Sequence, residues 1–368
     1  MKILLAVGTR PNFVKIAPII RAIEKTDMEY ILVHTGQHYD PAMSRSFFEE
    51  LDIPEPYVNL RQSLDTPIGF GTMMHIFDLT LDKIKPDYVI VVGDVDSTFA
   101  CALVAARRGI KVAHVEAGLR SFDRTMKEEI NRILTDSISD LFFTTEEMAN
   151  YNLLREGKDI NRIFFVGNVM IDSLKYILEK TIDEPFKPLS FDVKEKKYGI
   201  VTLHRPSNVD NKEILESLLD TLYTISKNLR LIFPLHPRVK KNIALFGLKD
   251  KMESLLDNII IADPLGYSEM IRLMKGARLV ITDSGGVQEE TTYLNVPCLT
   301  VRENTERPIT VDVGTNILVG RDMKLLEDTA RKIIFGEVKE GCIPPLWDGH
   351  AAERIVTILG KEGSHACE

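Results

Sequence analysis

The chain has 368 residues, of which 44% are hydrophobic and 27% are charged. This balance is typical of a folded protein with two cores of ordinary size. The formal net charge is −8, which argues against a nucleic-acid partner, because such binding needs a basic face that neutralises phosphates. No apolar run reaches membrane length, and Met1–Leu5 is too short and too soon followed by polar residues to be a signal peptide. We therefore expect a cytoplasmic protein without membrane contacts.

Short apolar runs alternate with longer amphipathic segments in the first half of the chain, which predicts a parallel sheet with crossover helices. The predicted strands are Ile3–Val7, Tyr30–His34, Tyr88–Val92, Val112–Val115 and Leu141–Thr144. The predicted helices lie near Asn12–Lys25, Ala42–Leu51, Thr72–Ile84, Thr98–Arg108 and Thr125–Ser139. These elements indicate one wound α/β lobe.

A second series of the same kind follows the polar stretch Lys180–Lys197. Its predicted strands are Gly199–Leu203, Leu231–Leu235, Ile259–Ala262, Leu279–Thr282, Pro297–Val301 and Ile317–Val319, with helices near Lys212–Lys227, Ser268–Lys275 and Gly286–Leu294. A last amphipathic helix, near Ala351–Leu359, either caps the second lobe or crosses back to the first. In such a fold we expect the ligand in a cleft at the carboxyl ends of the strands.

The segment Thr282–Gly286 ends an apolar strand and opens a helix. Its two glycines leave room for a diphosphate to approach the backbone, and Ser284 can cap the helix and bind phosphate. Glu290, on the next turn, suits the hydroxyls of a ribose, and Arg307 follows the next strand in a polar loop from which it can reach the same phosphates. The segment predicts a sugar-nucleotide site; the alternative is a capped helix with a glycine turn.

The turn after the first strand, Gly8–Asn12, also lies between a strand and a helix, but it is a weaker indication of a phosphate site. Its amides open a helix and favour an anion, and Arg10 and Lys15 add positive charge. Many α/β proteins begin in this way, so the turn alone does not decide between a phosphate site and an ordinary helix start.

Two kinds of nucleotide site are not supported by the motifs. The chain has no G-x-x-x-x-G-K-[ST] segment and no G-x-G-x-x-G after a strand, so we expect neither a P-loop nor a dinucleotide cofactor. The histidines and acids show no i, i+4 pairing of the kind found in zinc sites, so we expect no catalytic metal.

Acidic residues follow two strands of the first half. Asp94 ends one strand and Glu116 ends the next, and both acids meet at one edge if these strands pair. Glu128 and Glu129 open the following helix, where an acid also complements the helix dipole. Three acids that converge on strand ends favour acid–base chemistry over purely structural roles.

Histidines end the first two strands of the second half. His204 precedes Arg205, and His236 stands in His236–Arg238. A histidine beside an arginine in a polar turn is not typical of core packing, so both histidines are candidate site residues.

In chain order, these motifs resemble the series found in the non-hydrolysing UDP-N-acetylglucosamine 2-epimerases. The matching segments are Gly8–Pro11, Gly93–Thr98, His114–Arg120, Glu128–Arg132, His204–Arg205, Thr282–Glu290, Thr305–Pro308 and Trp347–Arg354. The resemblance implies a GT-B fold: two Rossmann-like, doubly wound lobes, a central cleft, and a C-terminal helix that returns to the first lobe. It places residues 1–168 and 346–368 in the first lobe and 169–345 in the second. It also implies a homodimer.

The resemblance further implies reversible epimerisation of UDP-GlcNAc to UDP-ManNAc, without NAD or a bound metal. By position in the matching motifs, the resemblance implies that the catalytic residues are Asp94, Glu116, Glu128 and His204. It implies that the substrate is bound by Arg10, Lys15, Arg205, His236, Met270, Ser284, Gly285, Gly286, Glu290 and Arg307. Met270 stands where the family often has an aromatic residue near the uracil, which puts base stacking there in doubt.

The chemistry accounts for such a set of residues. The C2 proton of the sugar is not acidic, because no carbonyl group adjoins it, and without a dinucleotide the sugar cannot be transiently oxidised. The economical route is elimination of UDP to a 2-acetamidoglucal, followed by re-addition with the proton on the other face. This route needs a clamp for the departing diphosphate and carboxylates near C1 and C2. Which carboxylate is the base stays open.

One segment departs from the family pattern. Many members bind a second, activating UDP-GlcNAc through a Gln-His-Arg-Glu-Met segment; here Gln37 and His38 persist, the next residues differ, and Arg61 stands where an arginine of that site is expected. The activator site therefore stays open, as does a related substrate such as a UDP-2,3-diacetamido sugar acid. Further alternatives are a hydrolysing epimerase, a GT-B glycosyltransferase and a silent UDP-sugar sensor.

Overall fold

The computed structural model describes residues 1–37, 47–61, 66–182 and 191–365. The chain divides into two compact units, each built on its own parallel sheet. Unit 1 comprises Met1–Ile177 and Pro345–Glu368, and unit 2 comprises Leu178–Pro344. The two wound α/β lobes predicted from the alternating pattern are confirmed. No helix in the described part of the chain is long and apolar enough to cross a membrane.

The sheet of unit 1 has the strand order β3-β2-β1-β4-β5-β6-β7. Its strands are β1 Lys2–Val7, β2 Glu29–His34, β3 Val58–Asn59, β4 Tyr88–Val92, β5 Lys111–Val115, β6 Leu141–Thr144 and β7 Ile163–Phe165. Its helices are α1 Arg10–Ile23, α2 Pro67–Ile84, α3 Asp96–Arg107, α4 Lys127–Ile138, α5 Glu147–Arg155, α6 Val169–Lys180 and the C-terminal helix Ala351–His365. The predicted helix near Ala42–Leu51 lies partly outside the described residues; residues 47–51 are helical.

The sheet of unit 2 has the order β10-β9-β8-β11-β12-β13. Its strands are β8 Tyr198–Thr202, β9 Arg230–Pro234, β10 Ile259–Ala262, β11 Leu279–Thr282, β12 Cys298–Thr300 and β13 Asn316–Leu318. Its helices are α7 Pro206–Val209, α8 Lys212–Ser226, α9 Pro237–Leu245, α10 Lys249–Leu255, α11 Tyr267–Gly276, α12 Gly285–Tyr293, α13 Pro308–Asp312 and α14 Met323–Phe335. The predicted strands are all present. Several helices, including α9, α10, α13 and α14, were not predicted.

The end of the chain belongs to unit 1, as expected for a helix that returns to the first lobe. Trp347 is buried and its Nε1 donates to the carbonyl oxygen of Thr145 at 2.9 Å. The carboxylate of Asp172, on α6, accepts from the amides of Ala351 and Ala352 at 3.2 and 2.8 Å, and so caps the C-terminal helix. Unit 1 therefore extends to Ile177, beyond the expected boundary at residue 168, because α6 holds this helix start.

Helix α4 has its polar side inward, against the usual arrangement of an amphipathic helix. Its buried positions are Glu129, Asn131, Arg132, Thr135 and Asp136, whereas Ile130 and Leu134 are 40% and 38% exposed. The reason lies in tertiary partners, since buried charges persist only when they are paired. These partners lie at the strand ends that carry the candidate site.

Candidate active site

The two acids at strand ends in unit 1 leave the same edge of the sheet. Strands β4 and β5 pair in parallel, with Val92 opposite Val115. Asp94 follows Gly93 after the end of β4, and Glu116 comes directly after the end of β5, so the two acids leave the sheet at neighbouring strand ends. Gly93, in the left-handed region with φ +70°, lies at this point; a Cβ there would approach Lys15 Nζ to 2.8 Å. The predicted pairing of the two strands is confirmed, and Gly93 leaves the space that Lys15 occupies.

Glu116 is paired with Lys15. Both side chains are buried, and Lys15 Nζ donates directly to Glu116 Oε2. Glu116 has φ +69°, a strained conformation for a residue other than glycine, at a cost of about 1–3 kcal/mol. Lys15, expected at the substrate, is thus engaged by a candidate catalytic acid in this structure.

Asp94 is held by helix α4 through its side chain and its backbone. Arg132 donates to Asp94 Oδ2 at 2.5 Å, and Asn131 Nδ2 donates to the Asp94 carbonyl oxygen at 3.0 Å. Asn131 also donates to Asp96 Oδ1 at 2.9 Å. Arg132 and Asn131 are site residues that sequence reasoning did not single out, although they end the Glu128–Arg132 motif.

The adjacent acids Glu128 and Glu129 have different surroundings. Glu129 is buried and accepts from the amides of Ser121 and Phe122, each at 2.9 Å, and from Arg132. This acid is therefore structural. Glu128 is half-buried, and no hydrogen bond or ion pair joins it to another described residue, so its carboxylate is open to a ligand.

The turn after β1 does not present its first amides to an anion. The amides of Gly8 and Thr9 donate to Asn12 Oδ1 at 3.1 and 3.0 Å, in a capping box at the start of α1. In this structure the Asn12 side chain therefore occupies two of the amides that were considered for an anion. Arg10 remains half-buried at the first position of α1, with its guanidinium 6.0 Å from the centroid of the Phe47 ring.

Asp283 organises the end of β8 in unit 2. Its carboxylate lies 2.9 Å from His204 Nδ1 and accepts from the amides of His204 and Arg205 at 3.0–3.1 Å. Burial by itself raises the pKa of Asp283, but the hydrogen bond and charge of His204 hold it below the usual value. His204 therefore has Nδ1 committed to Asp283 and Nε2 left for a ligand, on a side chain that is 40% exposed.

His236 lies beside His204, with the ring centroids 5.7 Å apart. It caps α9: its Nδ1 accepts from the amide of Arg238 at 3.2 Å. An accepting Nδ1 places the proton of a neutral ring on Nε2. The structure thus brings the two predicted histidines together, with one ring oriented by a carboxylate and the other by an amide.

The glycine turn of unit 2 is shaped by Arg307. Helix α12 begins at Gly285, and the amide of Ser284 donates to Thr282 Oγ1 at 3.0 Å. A Cβ on Gly285 would lie 2.6 Å from a terminal nitrogen of Arg307 and 2.7 Å from Glu306 Oε1. The expectation that Arg307 reaches this turn is confirmed, and Gly286 follows as the next residue of the helix.

Arg307 belongs to a buried network of charges. It lies 2.8 Å from Glu289 and 2.5 Å from Glu306, and Glu306 also contacts Arg302 at 2.6 Å and Arg205 at 3.8 Å. Sequence reasoning missed Glu289, Glu306 and Arg302. Their alternation of charge around Thr305–Pro308 was the available signal, because buried charges require partners.

Glu290 is buried on α12. Burial raises its pKa to about 8, with a further rise from neighbouring Glu289 and an opposing effect of the hydrogen bond from Tyr267. Tyr267 begins α11, and Met270 is half-buried one turn further along that helix. The predicted residues Glu290 and Met270 are thus on neighbouring helices.

The raised pKa of Glu290 predicts a pH-dependent stability. In the unfolded chain this carboxyl ionises near its ordinary pKa, whereas in the folded protein it keeps its proton to about pH 8. The folded state therefore binds more protons between these values, and the free energy of unfolding falls as pH rises, by at most about 1.4 kcal/mol per pH unit. Urea denaturation followed by circular dichroism at pH 5, 6, 7 and 8 should show this fall, and Glu290→Gln should reduce it. Parallel curves for both proteins would contradict the assignment.

The residues expected at an activator site are only partly described. Gln37 Oε1 accepts from the amide of Ser97 at 3.0 Å, and Arg61 is exposed with φ +52°. His38 lies outside the described residues. The structure places Gln37 at the start of α3, next to the strand end that carries Asp94.

Comparison with known proteins addresses the family. The family model described as UDP-N-acetylglucosamine 2-epimerase matches residues 21–360. The chain belongs to the UDP-N-acetylglucosamine 2-epimerase family. This confirms the resemblance drawn from the motifs.

Relatives within the epimerase family align over almost the whole chain. UDP-N-acetylglucosamine 2-epimerase of Methanocaldococcus jannaschii is 45% identical over 98% of this chain and 99% of its own. UDP-2,3-diacetamido-2,3-dideoxy-D-glucuronate 2-epimerase of Pseudomonas aeruginosa is 38% identical over 98% and 100%. The crystal structure of the M. jannaschii UDP-GlcNAc 2-epimerase in complex with UDP-GlcNAc and UDP has a TM-score of 0.91 and covers 98% of this chain and 100% of that one. The GT-B fold class is confirmed.

Proposed function

We propose that the protein interconverts UDP-GlcNAc and UDP-ManNAc by eliminating UDP to a 2-acetamidoglucal and adding it back. The observation that carries this proposal is the placement of Asp94 and Glu116 at neighbouring strand ends, in a chain of this family. Relatives aligned over its full length are named for the same activity.

Two acids of unit 1 are the groups that we propose for the chemistry on the sugar. Asp94 and Glu116 each have a cation beside them, Arg132 and Lys15 respectively. Such carboxylates stabilise positive charge that develops on the sugar ring and accept the C2 proton. We propose Glu128, which is open to a ligand, as the third member of this group.

Unit 2 supplies groups suited to a leaving diphosphate. We propose that Arg205, Arg307, Ser284 and the amide of Gly285 bind the diphosphate of UDP and stabilise the charge it gains on departure. His204, oriented by Asp283, presents Nε2 for hydrogen bonding or proton transfer. The other residues that we propose for binding of the nucleotide are Glu290, His236, Met270 and Gly286. Arg10, at the start of α1, is proposed as an additional cation.

Isotope exchange tests the reaction directly. Incubation of UDP-GlcNAc with the protein in deuterated water should give recovered sugar nucleotides that carry deuterium at C2, with both epimers visible by NMR. Recovery of unlabelled UDP-GlcNAc would refute the proposal and leave a transferase or a sensor. Accumulation of free UDP with free sugar would instead identify a hydrolysing enzyme.

We propose that this turnover requires neither NAD nor a metal ion. Elimination and re-addition transfer no hydride, and the sequence lacks a dinucleotide-binding glycine motif. Dialysis against EDTA, and separately the addition of NAD, should leave the exchange rate unchanged. A rate that falls on dialysis and returns with a divalent cation would contradict this part of the proposal.

A second candidate substrate is a UDP-2,3-diacetamido sugar acid. The observation in its favour is the 38% identical, full-length relative named as the 2-epimerase of such a compound. Parallel measurement of kcat/KM for the two substrates decides between them.

We further propose that UDP-GlcNAc activates the protein as well as being its substrate. Initial rates measured from UDP-ManNAc, with and without added UDP-GlcNAc, test this activating role.

Replacement of Gly285 by alanine tests the diphosphate clamp. The new Cβ would displace Arg307 and Glu306, so we expect the Kd for UDP to rise about tenfold or more, the equivalent of one or two hydrogen bonds to a charged group. Isothermal titration calorimetry measures this. Gly71→Ala, at a position with open space in α2, is the matched control and should bind UDP like the wild type.

We also propose that the protein is a homodimer. The outward apolar side of α4, with Ile130 and Leu134, supports this, because exposed apolar faces of helices commonly mark protein contacts. Light scattering should give twice the chain mass, and Ile130→Lys with Leu134→Lys should lower it if α4 forms the contact. A wild-type protein with the mass of one chain would refute the dimer.

A further inference from the structure

We infer that Asp136 and His114 form a buried pair that positions both candidate catalytic acids of unit 1, Asp94 and Glu116. This inference rests on the proposed function and deepens it. Neither Asp136 nor His114 is proposed to touch the substrate. They act through the backbone at the two strand ends.

The side chain of His114 joins Asp136 to the backbone before Asp94. The ring is fully buried; Nδ1 lies 2.6 Å from Asp136 Oδ1, and Nε2 lies 2.8 Å from the carbonyl oxygen of Gly93. A buried ring with a polar partner at each nitrogen has its position fixed from both sides. The carboxylate on α4 is thereby connected to the strand end that carries Asp94.

Asp136 contacts a side chain before Glu116 and a backbone amide after it. One oxygen contacts His114, two residues before Glu116, and the other accepts from the amide of Gly118, two residues after it, at 3.1 Å. Arg120 adds a third contact at 2.7 Å. Since Glu116 has a strained left-handed backbone, it persists only if its surroundings over-determine it, and Asp136 supplies that determination.

The same pair controls the approach to Asp94. The Gly93 carbonyl oxygen accepts from His114, and the Gly93 amide donates to the Val115 carbonyl oxygen at 3.0 Å. Both polar groups of the residue before Asp94 are therefore fixed to β5 and its side chains. Two acids that must act on adjacent sugar carbons need to be held by the same structural element, because misplacement by about 1 Å can lower the rate about a hundredfold. The inverted helix α4, which carries Asp136, provides it.

Two substitutions of His114 separate the contacts. The amide nitrogen of glutamine reaches close to the position of Nε2, so His114→Gln keeps the donor to Gly93; that of asparagine matches Nδ1, so His114→Asn keeps the contact with Asp136. We expect His114→Gln to retain kcat within about threefold, and His114→Asn to lower kcat at least about tenfold with KM unchanged. A purely structural ion pair predicts the opposite order. Wild-type kcat in His114→Asn would overturn the inference.

Substitutions of Asp136 give a second, independent test. Asparagine can accept from the Gly118 amide and hydrogen-bond to His114, so Asp136→Asn should keep kcat within about fivefold, whereas the folded fraction of Asp136→Ala should lose about a hundredfold. Equal kcat for Asp136→Ala and wild type would overturn the inference.

Measurement of exchange in the wild type distinguishes failure of the proposed function from failure of this inference. Absence of deuterium exchange in the wild type overturns the proposed function, and with it the inference. Exchange in the wild type, with kcat unaffected in His114→Asn and Asp136→Ala, overturns the inference alone and leaves the proposed function standing.

Discussion

Asp94→Asn and Glu116→Gln should each lower kcat for C2 exchange by about 10²–10⁴-fold, the usual contribution of a positioned acid–base group. Each replacement keeps the size of the side chain but removes the charge and the basicity on which the proposed elimination depends. The neighbouring cations, Arg132 and Lys15, then have no anionic partner at these positions. Initial rates of deuterium incorporation from UDP-GlcNAc, measured by NMR, give kcat and KM for each variant.

The effect should be confined to the chemical step. Apart from Arg10, the proposed UDP-binding groups lie in unit 2, and neither substitution changes any of them, so the Kd for UDP should stay within about twofold of the wild-type value in both variants. Glu213→Gln makes the same chemical change at an exposed position on α8 and should leave kcat unaltered. Wild-type turnover in Asp94→Asn and Glu116→Gln, with UDP binding intact, would refute the assignment of these acids and indicate a contaminating activity.

Asp136→Ala should lower the free energy of unfolding of unit 1 by about 3–5 kcal/mol, as expected when one partner of a buried ion pair is removed. The change leaves His114 and Arg120 buried without this carboxylate, although Arg120 keeps its contact with Glu156. The Gly118 amide also loses its acceptor. Burial raises the pKa of Asp136, but His114 and Arg120 hold it below the usual value, which shows that the native surroundings favour the charged form.

Tryptophan fluorescence in urea can follow this change in unit 1 by itself. The chain has a single tryptophan, Trp347, which is buried in that unit. Lys25→Ala, which removes an exposed ion pair with Glu353 within unit 1, is the control and should change stability by no more than about 0.5 kcal/mol. A loss below about 1 kcal/mol in Asp136→Ala would mean that the buried pair does not stabilise the unit.

Much of the site could be predicted because its markers are local. The strands that end at Asp94, Glu116, His204 and Thr282 are short apolar runs, and parallel sheets place their carboxyl ends together. The glycine turn before α12 has a local signature as well, because only glycine leaves the space that Arg307 occupies. Short elements were missed because they contain too few residues to show a hydrophobic period: β3 spans two residues and α13 spans five.

The remaining features depend on partners far apart in the chain. Lys15 and Glu116 are separated by 101 positions, and no local pattern links them. Tertiary contacts likewise decided that α6, whose Asp172 accepts from the amides of Ala351 and Ala352, belongs to unit 1. Sequence by itself thus determined the two wound lobes, the strand-end acids and the glycine turn of unit 2, which follow from periodicity and backbone geometry. The tertiary structure alone decided which charges are paired, because pairing of buried charge is a matter of distance in space and leaves α4 with its polar side inward.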